Sequence, residues 1–281
     1  MEKCILVKNK TILITGASGS IGSELTKQIL ALKPKRLVCL DQDETGIFNL
    51  IQKYNVTPVI ASVREKDKIS EVFERYKPQV VFHASAYKHV PLMEMFPNEA
   101  FKTNVLGTRN MIDVSLKNKV EKFIFISSDK AANSKSTMGQ TKKEGERMTQ
   151  SAGYISVRFG NVMNSRGSVL PIWRKQIEEG KPVTVTHPHM KRYFMSIEQA
   201  CKLVIKAGEI GQAGEIVVLD MGEPKLIMDL AKKMIAESGK DIKIKIIGVR
   251  QGETLFEEII TVDEKIETRE GFFIIKPITL T

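Results

Sequence analysis

The chain has 281 residues, 42% of them apolar, and a formal net charge of +10. That length allows one large domain or two small ones, and that apolar share builds an ordinary packed core, which excludes a disordered chain. Lys and Arg are scattered among acids on helix faces, with no basic block and no aromatic interleaving, so nucleic acid is not an expected partner. Cys4, Cys39 and Cys201 lie far apart without metal-ligand spacing, the pattern of free thiols in a reducing compartment, and no metal site is expected. No apolar stretch approaches the roughly 18 residues that span a bilayer, and Met1-Glu2-Lys3 leads into a strand-like segment. A soluble, cytoplasmic chain with no membrane span is expected.

In chain order, short β-branched runs alternate with longer amphipathic ones. Strands are predicted over 11–15, 36–41, 58–61, 79–84 and 122–127, with helices over 21–32, 44–53, 66–76 and 98–117 between them. A further helix opens at Met138, and a strand follows over 154–159. This alternation specifies an α/β fold, a doubly wound parallel sheet of Rossmann type with right-handed crossovers, whose ligands gather at the carboxyl ends of the strands. Beyond it the pattern loosens, and Pro171, Pro182, Pro188 and Pro224 punctuate loops, short strands and helices. The expected division is a dinucleotide-binding domain over 1–164 and a smaller substrate-binding lobe over 165–281, with part of 193–220 packing back on the first. No Gly-, Ser- or Pro-rich linker separates them, so a cleft between closely packed parts is expected.

Gly16-Ala17-Ser18-Gly19-Ser20-Ile21-Gly22 follows the first strand and opens the first helix. Glycines there allow a tight turn and close approach of backbone to a pyrophosphate, and the helix start supplies free N–H donors. Gly16, Ser18, Gly19, Ser20, Ile21 and Gly22 are therefore cofactor-site candidates. Asp41 ends the second strand about 20 residues on, where a carboxylate can accept ribose hydroxyls or simply close a turn. No Arg follows in Gln42-Asp43-Glu44 to meet a 2′-phosphate, so NAD is favoured over NADP. Ala84 and Ala86 present small side chains beside the cofactor path, and His83 reads as a strand histidine satisfied by neighbouring backbone.

Met138-Gly139-Gln140-Thr141-Lys142 keeps the Lys of a Tyr-x-x-x-Lys dehydrogenase site but puts Met in place of Tyr. A thioether cannot trade a proton at any biological pH. Upstream, Ser127-Ser128-Asp129-Lys130 sets an acid beside an amine after a strand, readable either as reacting groups or as a solvated pair. Met138 by spacing alone reads as core, and Lys142 as an exposed helix lysine or a cofactor contact.

Together these segments resemble the extended short-chain dehydrogenase/reductase superfamily and, within it, the UDP-N-acetylglucosamine 4,6-dehydratases of bacterial polysaccharide and glycan biosynthesis. The likeness continues through Lys88-His89-Val90-Pro91-Leu92-Met93-Glu94, Arg158-Phe159-Gly160-Asn161-Val162, Arg166-Gly167-Ser168-Val169, Lys191-Arg192-Tyr193-Phe194-Met195 and Arg250-Gln251-Gly252-Glu253. It runs from Asn9 to about Ile260, with departures at Ser62, Ser128 and Gln251, where relatives often carry an adenine-binding Asp, Thr and Pro. The family has a Tyr branch that inverts C5 of the sugar and a Met branch that retains it. This chain is similar to the Met branch, without that branch's membrane-spanning N-terminal region.

The resemblance implies a UDP-sugar substrate, a homo-oligomer, and a reaction in which hydride leaves sugar C4 for NAD, water is lost across C5 and C6, and hydride returns to C6. It assigns Lys130 as the C5 base, with a pKa expected to be lowered by Lys142 and the nicotinamide. Asp129 becomes the acid for the C6 hydroxyl and the taker of the C4 proton, Ser128 a contact of the hydroxyl near C4, and Lys142 a contact of the nicotinamide ribose. Asn161, Arg192 and Arg250 are expected near the diphosphate, Glu253 on the uridine ribose, and Lys88 and Glu94 beside the sugar. A UDP-sugar 4-epimerase and a non-catalytic NAD-binding regulatory protein are the alternatives.

Overall fold

The computed structural model describes residues 5–277. Cys4 and Met1-Glu2-Lys3 lie outside that span, and where a strand was expected next, residues 5–9 form turns. Asn9 takes φ 61°, a left-handed conformation that interrupts any extended run before Thr11. Cys39 and Cys201 are buried free thiols.

The first half comprises β1 (Thr11–Thr15), α1 (Ser20–Ala31), β2 (Arg36–Asp41), α2 (Glu44–Lys53), β3 (Thr57–Ile60), α3 (Lys66–Tyr76) and β4 (Val80–His83). Next come α4 (Val90–Met95), α5 (Pro97–Ala100), a π-helical segment (Phe101–Gly107), α6 (Thr108–Lys117), β5 (Lys122–Ile126), a 3-10 turn (Asp129–Ala131), α7 (Thr137–Ser151) and β6 (Ile155–Arg158). The predicted helix over 98–117 is thus three consecutive helical pieces, and the short α4 before it was not anticipated. The second half holds β7 (Asn161–Val162), α8 (Val169–Glu178), β8 (Val183–Val185), β9 (Lys191–Arg192), β10 (Phe194–Met195), α9 (Ile197–Ile210) and β11 (Ile216–Val218). It closes with β12 (Lys225–Leu226), α10 (Ile227–Ser238), β13 (Ile244–Ile246), β14 (Ile266–Arg269) and β15 (Phe272–Ile275).

The main sheet runs β14-β15-β11-β6-β5-β4-β1-β2-β3. Its seven strands from β3 to β11 are parallel, and β15 and β14 add an antiparallel edge. Strand order reverses between β1 and β4, and such a switch opens a crevice at the carboxyl ends of the two strands. Side chains alternate across the sheet, as the pleat requires. Ile12 and Ile14 join Leu25, Ile29 and Val204 on the α1 and α9 side, whereas Leu13 joins Ile69, Phe73 and Met111 on the α3 and α6 side.

Residues around α8, β8, β13 and α10 make a second, smaller core of Trp173, Ile177, Val183, Val185, Met190, Ile227 and Ala231. The Trp173 indole N–H donates to the Thr184 carbonyl at 2.7 Å, which satisfies the one polar atom of a fully buried ring. This lobe stands over the crevice, while the chain between and after its parts returns to the main sheet as α9, β11, β15 and β14.

Candidate active site

A cavity of about 820 Å³ lies between the strand ends and the smaller lobe. One end is formed by the glycine turn. Gly16 has φ +65°, and a Cβ there would lie 2.8 Å from the backbone of Ala84 and Ser85. At Gly22 a Cβ would overlap the Gly16 carbonyl, so both positions need glycine for α1 to start hard against the strand ends. The helix-capping residue Gly19 brings no side chain to the first-turn N–H groups, which leaves Ser20, Ile21 and Gly22 lining the cavity at a positive helix terminus. That cradle fits a pyrophosphate.

Asp41 lines the same end, and its carboxylate accepts the Ser18 N–H at 3.0 Å, the Ser18 hydroxyl at 2.7 Å and the Asp43 N–H at 3.2 Å. It therefore shapes the turn as well as facing the cavity. Ala84, Ala86 and Ser62 line it too. His83 does not; it is buried between the Thr15 and Thr108 hydroxyls at 2.7 and 3.0 Å, held by side chains rather than backbone. Burial, with Lys142 nearby, pushes its pKa down to about 3.

At the other end the acid and amine meet. Ser128 caps the 3-10 turn, accepting the Lys130 N–H at 3.3 Å. Asp129 is fully buried; its Oδ1 accepts the Ser128 hydroxyl at 2.8 Å and Lys130 Nζ at 3.0 Å, while its Oδ2 has no partner among the described residues. Gly160, on the cavity wall, sits against that second oxygen: a Cβ there would lie 3.3 Å from it. The solvated pair that the sequence left open is therefore absent, and Lys130 and Ser128 line the cavity with Asp129 just behind.

One expectation is not met by the protein's own groups. Burial drives the Lys130 amine down, but the carboxylates of Asp129 and Glu257 outweigh burial and the Arg192 charge, and the pKa is raised. The lowered amine is Lys142, pushed down to about 8 by burial against partial opposition from Glu146. Lys142 donates to the Ile126 carbonyl at 2.6 Å, lies 4.5 Å from the Phe125 ring centroid and lines the cavity. Met138, one turn earlier, is buried with Val90, Met93 and Ala100 and also lines the cavity, so the core reading and a place in the site hold together.

The expected sugar-side residues divide. Asn161, Arg250, Glu253 and Lys88 line the cavity. Asn161 Oδ1 lies 3.4 Å from Lys130 Nζ, Glu253 accepts the Arg250 N–H at 3.1 Å, and Lys88 reaches the Ser165 hydroxyl at 3.3 Å with its pKa lowered by burial and by Arg166. Glu94 is not in the lining; it accepts the Thr137 N–H at 2.6 Å and hydroxyl at 3.2 Å, holding the start of α7. Arg192 lines the cavity, yet its guanidinium donates to the carbonyls of Lys191, Thr254 and Leu255 and pairs with Glu257 at 3.4 Å, so it ties the 254–257 loop to β9.

Glu257 is the site residue that sequence reasoning missed. It sits 3.6 Å from Lys130 with its side chain buried. Nothing local marks it, since Phe256-Glu257-Glu258 reads as surface. Arg166 was also given no role, and it crosses to the glycine turn, where its N–H donates to the Ser20 hydroxyl at 2.8 Å and its guanidinium pairs with Asp43 at 3.3 Å.

A glycine cradle and an acid–amine pair at one cavity define a Rossmann-type α/β protein. The chain belongs to the polysaccharide biosynthesis protein family, whose pattern matches residues 12–276. It is 47% identical to the capsular polysaccharide biosynthesis protein CapD of Staphylococcus aureus over 91% of this chain and 46% of that one. The chain thus spans about half the length of that relative. It is 35% identical to a UDP-N-acetylglucosamine 4,6-dehydratase (inverting) of Campylobacter jejuni, covering 97% of this chain and 84% of that one. A UDP-glucose 4-epimerase of Rickettsia akari is 34% identical over 94% and 82%. Among solved structures, Pen from Bacillus thuringiensis superposes with a TM-score of 0.93 at 36% identity, covering 97% of this chain and 90% of that one. Among the described residues no helix is long and apolar enough to cross a membrane, and no cluster of three or more His, Cys, Asp or Glu could hold a metal ion.

Proposed function

We propose that this chain is an NAD-dependent UDP-N-acetylglucosamine 4,6-dehydratase, a hydro-lyase that retains the configuration at C5 and serves polysaccharide or glycan biosynthesis. The observation that carries this reading is the Asp129–Lys130 pair, 3.0 Å apart, with Lys130 on the cavity wall and Asp129 buried behind it, beside a Met138 that cannot exchange protons. The 35% identical dehydratase supports the substrate, and on this reading residues 1–164 take the cofactor and 165–281 the sugar nucleotide.

NAD in the glycine cradle supplies a hydride acceptor and donor for sugar C4 and C6. The chain's own residues supply the proton traffic. At rest the pair holds one proton, on Lys130, across 3.0 Å from Asp129; release of that proton to solvent through the cavity and uptake of the C4 hydroxyl proton by Asp129 leave a neutral amine and a carboxylic acid with no change in net charge. Elimination needs that combination, a base for the C5 proton and an acid for the departing C6 hydroxyl. Ser128, hydrogen-bonded to Asp129, is placed to hold the hydroxyl near C4 and pass its proton inward. Lys142, which lines the cavity, would hold the nicotinamide ribose. Arg250, whose side chain makes no hydrogen bond or ion pair among the described residues, is a better diphosphate ligand than Arg192, whose guanidinium is already engaged by carbonyls and Glu257. Glu253 then meets the uridine ribose, and Asn161 and Lys88 border the substrate.

Incubation with UDP-N-acetylglucosamine in deuterated water, read by mass spectrometry and NMR, tests this. The expected product is a 4-keto-6-deoxy sugar with solvent deuterium and retained configuration at C5, and with no net NADH. A product that is only the C4 epimer establishes the epimerase reading instead, and cofactor binding without turnover establishes a regulatory one.

A further inference from the structure

Four groups of alternating sign run from the strand end into the smaller lobe: Asp129, Lys130, Glu257 and Arg192. Lys130 Nζ lies 3.0 Å from Asp129 and 3.6 Å from Glu257, and the same Glu257 oxygen lies 3.4 Å from Arg192. Arg192 is itself fixed by carbonyls at Lys191, Thr254 and Leu255, so Glu257 is presented to Lys130 from a clamped loop. Among the described residues the remaining hydrogen-bond partner of the Lys130 amine is the neutral amide of Asn161, on β7, and Lys142 is engaged with the Ile126 carbonyl.

We propose that Glu257 is the positioning residue that keeps the shared proton of the Asp129–Lys130 pair on Lys130, and so sets how readily that amine becomes a base. This deepens the dehydratase reading and rests on it for its meaning in catalysis, but not for the electrostatics. Asp129 alone could hold the ammonium, yet Asp129 also answers to the Ser128 hydroxyl, whereas Glu257 faces Lys130 from the opposite lobe. The raised Lys130 pKa agrees with two carboxylates acting against burial.

The test is the isosteric variant Glu257→Gln in the purified protein with its cofactor. Acylation of Lys130 by acetic anhydride across pH, read by peptide mass spectrometry, reports the neutral amine directly. Loss of one facing carboxylate is expected to raise Lys130 labelling roughly tenfold at a fixed pH below its titration, because the ammonium loses a neighbour that favours it. Glu257→Asp should rise less, since it keeps the charge on a shorter arm and also serves if the Gln variant does not fold. Wild-type labelling in folded variants overturns the proposal. If the dehydratase reading also holds, the acid limb of the kcat–pH profile moves to lower pH in Glu257→Gln. If wild-type protein shows no dehydration while the labelling still shifts, that reading fails and the role of Glu257 stands.

Discussion

Lys142 is buried and Lys130 part-buried on one cavity, and their charges are governed oppositely. Lys130 has two carboxylates in reach, whereas Lys142 meets a carbonyl and the face of Phe125, with Glu146 too weak to offset burial. Since the folded pKa of about 8 lies below the usual 10.5, the unfolded chain binds more protons between those values. Stability contributed by this site therefore rises with pH from about 8 to 10.5, and below 8 the cost of a buried ammonium is present in full, on the order of 3 kcal/mol. The difference in unfolding free energy between wild type and Lys142→Met, followed by urea denaturation across that window, should shift toward wild type as pH rises. A flat difference removes the buried-ammonium account.

Met138 and Asp129 separate packing from proton transfer at the same scale. Met138→Ala should destabilise the fold by about 2–5 kcal/mol through the cavity it leaves, while keeping a measurable rate of dehydration. Asp129→Asn should fold and lose about a hundredfold or more. A stably folded Met138→Ala as inactive as Asp129→Asn would give Met138 a role in positioning the sugar. The sequence showed these residues plainly, because three short motifs carry them. It did not show the second carboxylate beside Lys130, because Glu257 reaches it from a loop that follows it by more than a hundred residues, and no local spacing records that approach.

Among the elements, the β1–α1 turn was legible in full because its requirements are local: two glycines that no side chain can replace, and a helix start left uncapped. The π-helical segment was not legible, because its reason is tertiary. Asn104 within it bonds both the N–H and the carbonyl of Tyr87 and the Thr141 hydroxyl, tying the loop after β4 to α7. The same loop hides α4, whose Glu94 reads like a ligand until it is seen to hold the start of α7. For the turn, Asp41→Ala should weaken NAD binding by about 1–3 kcal/mol, the scale of lost charge-assisted hydrogen bonds, and weaken NADP binding less or improve it. Titration of both cofactors decides whether Asp41 reads the ribose or only holds Ser18; equal losses mean the latter.

Across the whole molecule, the returning chain is joined to the sheet by a buried triad that composition and periodicity could not show. Arg158 on β6 pairs with Glu146 of α7 at 2.7 Å and with Glu264 at 2.9 Å, and donates to the Ile259 carbonyl at 2.9 Å. Its guanidinium is almost without solvent contact, and burial, which opposes the charge, is outweighed by the two carboxylates, so its pKa is raised. Removing only the cation leaves Glu146 desolvated and uncompensated, the costly way to break a buried pair. Arg158→Met is therefore expected to lower stability by about 3–5 kcal/mol in urea denaturation, and to free residues 259–264 for faster backbone hydrogen exchange. Adding Glu146→Gln should restore part of that loss, because the buried charge goes with its partner. If the double variant is no more stable than Arg158→Met, the triad acts through packing of its side chains and not through paired charge.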